Sequence, residues 1–327
     1  MRILVTGGTG FIGGRIAARL LSFGHEVLVG TRNIRTCYLQ SELQSATLVQ
    51  TDWDEEGSLL SLCKDVDIVI HAAGMNAADC HADPIAALAF NGDVTASLVA
   101  SAVKACVKKF FYFSTVHVYS SPLAGRITED TNTVNKHSYA TSHLSGENSI
   151  LEATENTATQ GLVLRLSNVF GVPINVKVNC WMLLVNDLCR QVVEAHTMCL
   201  NSSGRQLRDF IALEEVCQIV QHLAEVSSAR KHNRILNIAS GQSMSVVGMS
   251  ELIQARAREV LGFEPELILP KVTDVRETRY KNLEINREKL NGICSIMPSN
   301  PSCEIDQLLS FCNKYFKYKE STQHAPL

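Results

Sequence analysis

Three glycines stand three residues apart in Gly7-Gly8-Thr9-Gly10-Phe11-Ile12-Gly13, directly after the β-branched run Ile3-Leu4-Val5-Thr6 and directly before a helical pattern. Such a turn needs glycine for three separate reasons: to make the tight bend, to let backbone approach a pyrophosphate, and to let helix and strand pack closely. The helix that follows offers unpaired N–H groups and the positive end of its dipole to an anion. Gly7, Gly10, Phe11, Ile12 and Gly13 are therefore the expected cradle of a dinucleotide. About twenty residues further on, an NAD site would carry an acid for the ribose 2′-hydroxyl. Gly30-Thr31-Arg32 stands there instead. A guanidinium can pair with the 2′-phosphate of NADP, where a carboxylate would repel it. The other reading of Arg32 is a solvated arginine just past a strand, so NADP is the expected cofactor and NAD the alternative.

The elements that must carry this turn alternate from the first residue. Arg2–Thr6, Glu26–Thr31, Thr47–Gln50, Asp67–Ala72, Lys109–Ser114 and Leu162–Ser167 read as strands, and Phe11–Phe23, Pro84–Ala105 and Tyr139–Ala158 as helices. In the second helix Val94, Leu98, Val99, Ala102 and Cys106 form one apolar stripe. The alternation predicts an α/β fold: a doubly wound parallel sheet over residues 1–171. Past residue 172 the strict order breaks. Helical stretches Trp181–Ala195, Leu213–Glu225 and Met249–Leu261 mix with short strands such as Ile235–Ala239, which predicts a smaller α/β substrate domain over 172–318 with some segments returning to the core. Residues 319–327 read as a loose polar tail.

Composition narrows the partners. With 30 Lys plus Arg against 33 Asp plus Glu, the net charge of -3 gives no electrostatic footprint for nucleic acid or an anionic membrane. Any anionic ligand must be held by local groups. No apolar run is read as reaching the length of a membrane span, and the N-terminus carries no signal-peptide zones. The 11 cysteines show neither CxxC nor Cys/His ligand spacing, which points to reduced structural thiols, no metal site, and a cytosolic protein.

Further segments extend the pattern: Val49-Gln50-Thr51-Asp52, Asp67-Ile68-Val69-Ile70-His71-Ala72-Ala73, Asn91, Phe113-Ser114-Thr115-Val116-His117-Val118-Tyr119, Ser138-Tyr139-Ala140-Thr141-Ser142-His143, Arg165-Leu166-Ser167-Asn168-Val169-Phe170-Gly171, Arg208-Asp209-Phe210-Ile211 and Asn237-Ile238-Ala239-Ser240-Gly241. In this order, from Met1 to about residue 315, the chain resembles the extended short-chain dehydrogenase/reductases, the group of nucleotide-sugar epimerases, dehydratases and reductases. The resemblance implies that Asp52, with Trp53 beside it, lies at the adenine, that Ala72 and Ala73 line the cofactor, and that Asn91 braces the central helix. It implies that Thr115 hydrogen-bonds the reacting oxygen and that Tyr139 is the acid/base, which suits the proton movement that hydride transfer at a carbinol or ketone requires. Asn168, Arg208 and Arg276 match positions that contact a sugar diphosphate. Helices 84–105 and 139–158 match those that pair in a homodimer.

One departure bears on the chemistry. The family pattern is Tyr-x-x-x-Lys, and this chain has Tyr139-x-x-x-His143. By the resemblance that lysine holds the nicotinamide ribose and lowers the tyrosine pKa. A tyrosine with its ordinary pKa of about 10 is only about 0.1% ionised at pH 7. A positive charge about 4 Å away is worth up to about 4 kcal/mol at an effective dielectric of about 20, roughly a thousandfold in ionisation. His143 can still bond the ribose, but with an ordinary pKa of about 6.5 it is mostly neutral at pH 7. An epimerase that begins by oxidation needs tyrosinate, whereas a reductase needs only a phenol. The expectation is an NADP-dependent reductase of a keto-sugar nucleotide. The alternatives are a 4-epimerase holding NAD tightly and a catalytically idle dinucleotide-binding sensor or scaffold.

Overall fold

The computed structural model describes residues 1–34, 39–226, 233–270, 282–296 and 298–317. In the first half β1 (Arg2–Thr6), α1 (Phe11–Ser22), β2 (Glu26–Thr31), β3 (Thr47–Gln50), α2 (Glu56–Cys63), β4 (Ile68–His71), α3 (Ala77–Ala82), α4 (Pro84–Leu88), α5 (Thr95–Lys104) and β5 (Lys109–Thr115) follow one another. Then come β6 (Gly125–Ile127), α6 (Ser138–Ala153), β7 (Gln160–Leu166), β8 (Asn168–Phe170), α7 (Leu184–Ala195), β9 (Thr197–Cys199), β10 (Leu207–Ala212) and α8 (Leu213–Glu225). The chain closes with β11 (Ile235–Ile238), β12 (Ser243–Ser245), α9 (Val246–Leu261), β13 (Glu266–Ile268), β14 (Leu283–Ile285), α10 (Glu288–Asn291) and α11 (Pro301–Phe316).

Seven parallel strands make the main sheet in the order β3-β2-β1-β4-β5-β7-β11. Chain order reverses between β1 and β4, and a crevice for a ligand opens at the carboxyl ends of the strands at such a switch point. Both faces of the sheet are covered, so successive residues of β1 enter different cores. Ile3 and Val5 pack with α1 and α8, while Leu4 packs with α2 and α5. Arg15 and Arg19 of α1 reach Glu214 of α8 at 3.1 and 2.6 Å, so a helix from the later part of the chain is fastened onto the first. A separate core joins α7, α9 and α11 around Leu188, Met249 and Leu308. It lies beside the three-stranded sheet β12-β10-β8.

The strand expectations hold to within one or two residues, the helices expected from Trp181 and Met249 begin at Leu184 and Val246 instead, and three further helical expectations are corrected. The helix expected to reach Ala158 stops at Ala153, where the Thr154 hydroxyl turns back to the Ile150 carbonyl at 2.7 Å and Asn156 takes φ +54°. Cys106 does not join the apolar stripe. It lies past the end of α5 with φ +58°, exposed, as the left-handed residue that ends a helix. Between α4 and α5 the helix is continuous but widened by a π-turn, Ala89–Val94, which the spacing of apolar residues does not reveal. This continuous helix, Pro84–Lys104, has the length and composition of a membrane span, contrary to the expectation that no stretch reaches it. Its apolar residues have another use, since Leu98, Val99 and Ala102 are fully buried against the sheet. The described cysteines are all free thiols.

Candidate active site

The glycine turn is dictated by backbone. Gly7 takes φ +64°, and a Cβ there would come within 2.7 Å of the Ala73 nitrogen. A Cβ on Gly13 would overlap the Gly7 carbonyl oxygen. Gly10 N donates to that same carbonyl at 2.9 Å, closing the turn. Gly10 caps α1 with no side-chain hydrogen bond and the first turn holds no acid, so the helix N-terminus is open to an anion. This cradle fits a pyrophosphate. Phe11 and Ile12 turn their side chains onto the core below, leaving their backbone at the turn.

The remaining expected cofactor residues gather at the carboxyl ends of the strands. Ala72 N donates to the Thr6 carbonyl at 3.2 Å and Ala73 N to the Thr6 hydroxyl at 3.4 Å, which places both against Gly7. Arg32 is exposed just past β2. Asp52, past β3, is exposed and accepts from Asp54 N at 3.2 Å. Trp53 is half-buried, its ring edge-on to Phe90 at 5.7 Å and tilted over His71 at 6.0 Å, and its indole N–H is buried without a protein partner among the described residues. Asn91 lies in the π-turn, accepts from Met75 N at 2.9 Å and donates to the Ser142 hydroxyl at 3.1 Å. It thus ties the loop after β4 to α6. Gly146 lets α6 come this close, since a Cβ there would meet the Asn91 carbonyl oxygen and the Tyr112 hydroxyl at 2.5 Å each.

The candidate catalytic face is α6 laid along β5. Residues 139, 143 and 147 fall on one face of the helix, four apart, and each meets a different residue of the strand. Burial pushes the Tyr139 phenol up to about 12, against the smaller opposing effect of Thr115 as its hydrogen-bonding neighbour. The His143 ring stands edge-on to Tyr139 at 4.6 Å, and its Nδ1 is 3.0 Å from the Tyr112 hydroxyl. Burial holds His143 down at about 4, so it is a neutral imidazole at pH 7. No cation acts on the phenol among the described residues. Lys136, the nearest lysine before Tyr139 in sequence, is exposed. Glu147 accepts from Ser114 and pairs with Arg165 through two bonds of 2.9 and 2.6 Å, both side chains buried. Bidentate geometry satisfies a charge pair that would otherwise be costly inside.

At the substrate end the three expected residues differ. Asn168 on β8 spends its amide N–H on the Asp209 carbonyl at 2.8 Å. Arg208 on β10 is half-buried, burial lowers its pKa, and no carboxylate pairs with it among the described residues. Its neighbour Asp209 is already committed, accepting from Ser167, from Ser240 twice and from Gly241 at 2.6–2.9 Å. Arg276 lies outside the described residues. Arg208 is near enough to His117, two residues past Thr115, to lower that imidazole's pKa after burial has done so. The fold therefore brings Arg208 within electrostatic reach of His117, two residues from Thr115. His117 was not among the expected site residues, and its distance of two from Thr115 was the available signal. Tyr112 and Glu147 were likewise missed, although Glu147 sits eight after Tyr139 on the same helical face.

Comparison with known proteins agrees with this geometry. The model of the NAD dependent epimerase/dehydratase family matches residues 3–239, more than half of the chain. A putative UDP-glucose 4-epimerase of Methanocaldococcus jannaschii is 26% identical, over 82% of this chain and 85% of that protein. The human dTDP-D-glucose 4,6-dehydratase is 28% identical, over 89% of this chain and 84% of its own. Among solved structures, UDP-glucuronic acid 4-epimerase from Bacillus cereus, in complex with UDP-glucuronic acid and NAD, superposes with a TM-score of 0.77 at 20% identity, covering 96% of this chain and 99% of that one. With its glycine cradle, its Rossmann sheet and its Tyr139-bearing helix, this chain belongs to the NAD dependent epimerase/dehydratase family.

Proposed function

We propose that the protein reduces a keto group on a nucleotide-linked sugar. The observation that carries this reading is the neutral surrounding of Tyr139: the phenol has Thr115 beside it and a neutral His143 against its ring, with burial raising its pKa. A bound nicotinamide cofactor supplies hydride to the keto carbon. The Tyr139 phenol then donates its proton to the oxygen on which negative charge develops, a base far stronger than a phenolate. The Thr115 hydroxyl donates to that same oxygen and aligns it. Arg208 takes a phosphate of the nucleotide, since a half-buried guanidinium without a carboxylate is suited to a bidentate anion. Arg32, exposed where an NAD site carries an acid, favours NADP over NAD.

A second reading, a 4-epimerase holding NAD tightly, is favoured by the names of the relatives. Its first step removes a proton from a sugar hydroxyl and so needs tyrosinate, which this surrounding disfavours. The deciding experiment incubates the purified protein with NADPH and a panel of 4-keto-sugar nucleotides. Rapid NADPH consumption is expected. Release of oxidised NAD on denaturation, with interconversion of UDP-glucose and UDP-galactose and no NADPH consumption, favours the epimerase. Cofactor binding with no turnover of any sugar nucleotide favours the idle sensor or scaffold.

The active unit in this reading is a homodimer. Ile85 is 84% and Leu88 48% exposed on α4, large apolar side chains turned to solvent beside the α6 face, and a C2 pair is the commonest way to cover such a surface. Sedimentation at micromolar concentration should give twice the mass of one chain.

A further inference from the structure

A run of buried side chains behind the catalytic face ends on His143, and its other members are used by none of the chemistry above. Thr6 Oγ1 lies 2.7 Å from His71 Nδ1, and His71 Nε2 lies 3.1 Å from Thr95 Oγ1. Thr95 also lies beside Tyr112 as a hydrogen-bonding neighbour that acts on its phenol, and the Tyr112 hydroxyl lies 3.0 Å from His143 Nδ1. The five side chains, from β1 through β4, α5 and β5 to α6, belong to residues no more than 7% exposed.

Each hydroxyl has one proton to give and each neutral imidazole one N–H, so the protons along the run can be counted. Both imidazoles are neutral, since burial holds His71 at about 3 and His143 at about 4. The Thr6 oxygen already accepts from Ala73 N at 3.4 Å. If Thr6 donates to His71 Nδ1, then His71 Nε2–H donates to Thr95, Thr95 to the Tyr112 oxygen, and Tyr112 to His143 Nδ1. Every proton then has an acceptor. The opposite polarity makes Thr6 accept from His71 as well, and its own proton is left with no acceptor among the described residues at a fully buried position, which is costly. At Tyr112 the count leaves a choice, since its proton also reaches the Asn91 carbonyl at 3.3 Å, and the shorter distance, 3.0 Å to His143 Nδ1, selects the histidine.

We propose that Tyr112 is a positioning residue that locks His143 as the Nε2–H tautomer, so that the place of the family lysine offers a neutral hydrogen-bond donor to the cofactor ribose. The second half of this statement rests on the reading of the cleft as a dinucleotide site. The one hydrogen bond of the ring to the described residues is through Nδ1, which leaves Nε2 over. The run ends at Thr6 and the Ala73 N–H without a titratable group at the surface, so it orients His143 and does not conduct protons.

The test needs neither ligand nor turnover. In the whole protein labelled with 15N in its histidine rings, long-range proton–nitrogen correlation reports each tautomer, with His143→Gln identifying the signal. A pyrrole-type Nε2 and a pyridine-type Nδ1 are expected for His143, and an Nδ1–H ring would overturn the proposal whatever reaction the protein performs. In Tyr112→Phe both tautomers should populate and the dissociation constant for NADP(H) should rise about fivefold, the loss of one hydrogen bond of about 1 kcal/mol. A Tyr112→Phe protein with an unchanged His143 tautomer would equally overturn the positioning role. Thr95→Val, which removes the donor to the Tyr112 oxygen, should loosen the same preference and serves if the phenylalanine variant does not fold.

Discussion

In the proposed function the cofactor wall and the catalytic wall of the site are built from different materials. The phosphate wall is backbone: Gly7 at φ +64°, Gly13 with no room for a Cβ, and the uncapped first turn of α1. The catalytic wall is side chain on side chain, with Tyr139, His143 and Glu147 of α6 each held by a different residue of β5. A backbone site tolerates almost any flanking residue but no change at its glycines. A side-chain site can exchange one member, as His143 stands here where the resemblance leads one to expect lysine, and keep its frame, because the Glu147–Arg165 pair and Gly146 still fix how closely α6 approaches the sheet. The chemistry can therefore shift on one wall while the ligand class stays set by the other.

The sharpest way to separate the walls is Tyr139→Phe. It should lower turnover by about 10²–10⁴-fold, the usual worth of a positioned proton donor, and leave cofactor affinity nearly unchanged. Full activity in this variant would remove Tyr139 from the mechanism. Gly13→Ala should do the reverse of a catalytic lesion. The added methyl meets the Gly7 carbonyl, and the backbone shift should cost about 1–3 kcal/mol, read by calorimetry as weaker binding of NAD(H) and NADP(H) alike.

Arg208→Ala should raise the dissociation constant of the nucleotide sugar by about ten- to a hundredfold, the worth of about 1.5–3 kcal/mol for a hydrogen bond to a charged group. Cofactor binding should not change, and titration with UDP, GDP and dTDP sugars measures both. Unaltered sugar-nucleotide affinity would return Arg208 to the structural side. The smallest effect should be at Arg32→Ala, which weakens NADP(H) by about tenfold and NAD(H) hardly at all, because only one of them brings a 2′-phosphate. Equal weakening of both would contradict the NADP assignment.

The backbone wall was legible from sequence because its requirements fall on one residue type at fixed spacing, and the β-branched runs gave the sheet almost to the residue. Less of the side-chain wall was legible. The order of motifs singled out Thr115, Tyr139 and His143, which the fold sets on β5 and α6. What surrounds them depends on contacts between distant segments that no local pattern encodes. Tyr112 read as one more aromatic of a buried strand, yet it is the partner of His143. The π-turn left the helical periodicity nearly intact while turning Asn91 toward Met75 and Ser142. Arg165 and Arg208 look alike in sequence. Only the fold shows the first spent on Glu147 and the second without a carboxylate among the described residues.

The central claim is that Tyr139 works as a phenol beside a neutral histidine. The measurement that meets it most directly is a pH titration of the Tyr139 ring carbon signal by NMR, assigned with Tyr139→Phe, in the natural protein and in His143→Lys. In the natural protein the phenol should persist up to about pH 12. In the lysine variant ionisation should move to lower pH, because an added cation stabilises the phenolate, and the oxidative direction of the reaction should gain more than the reductive one. A natural protein whose Tyr139 ionises near neutral pH would contradict the account and return the site to base catalysis.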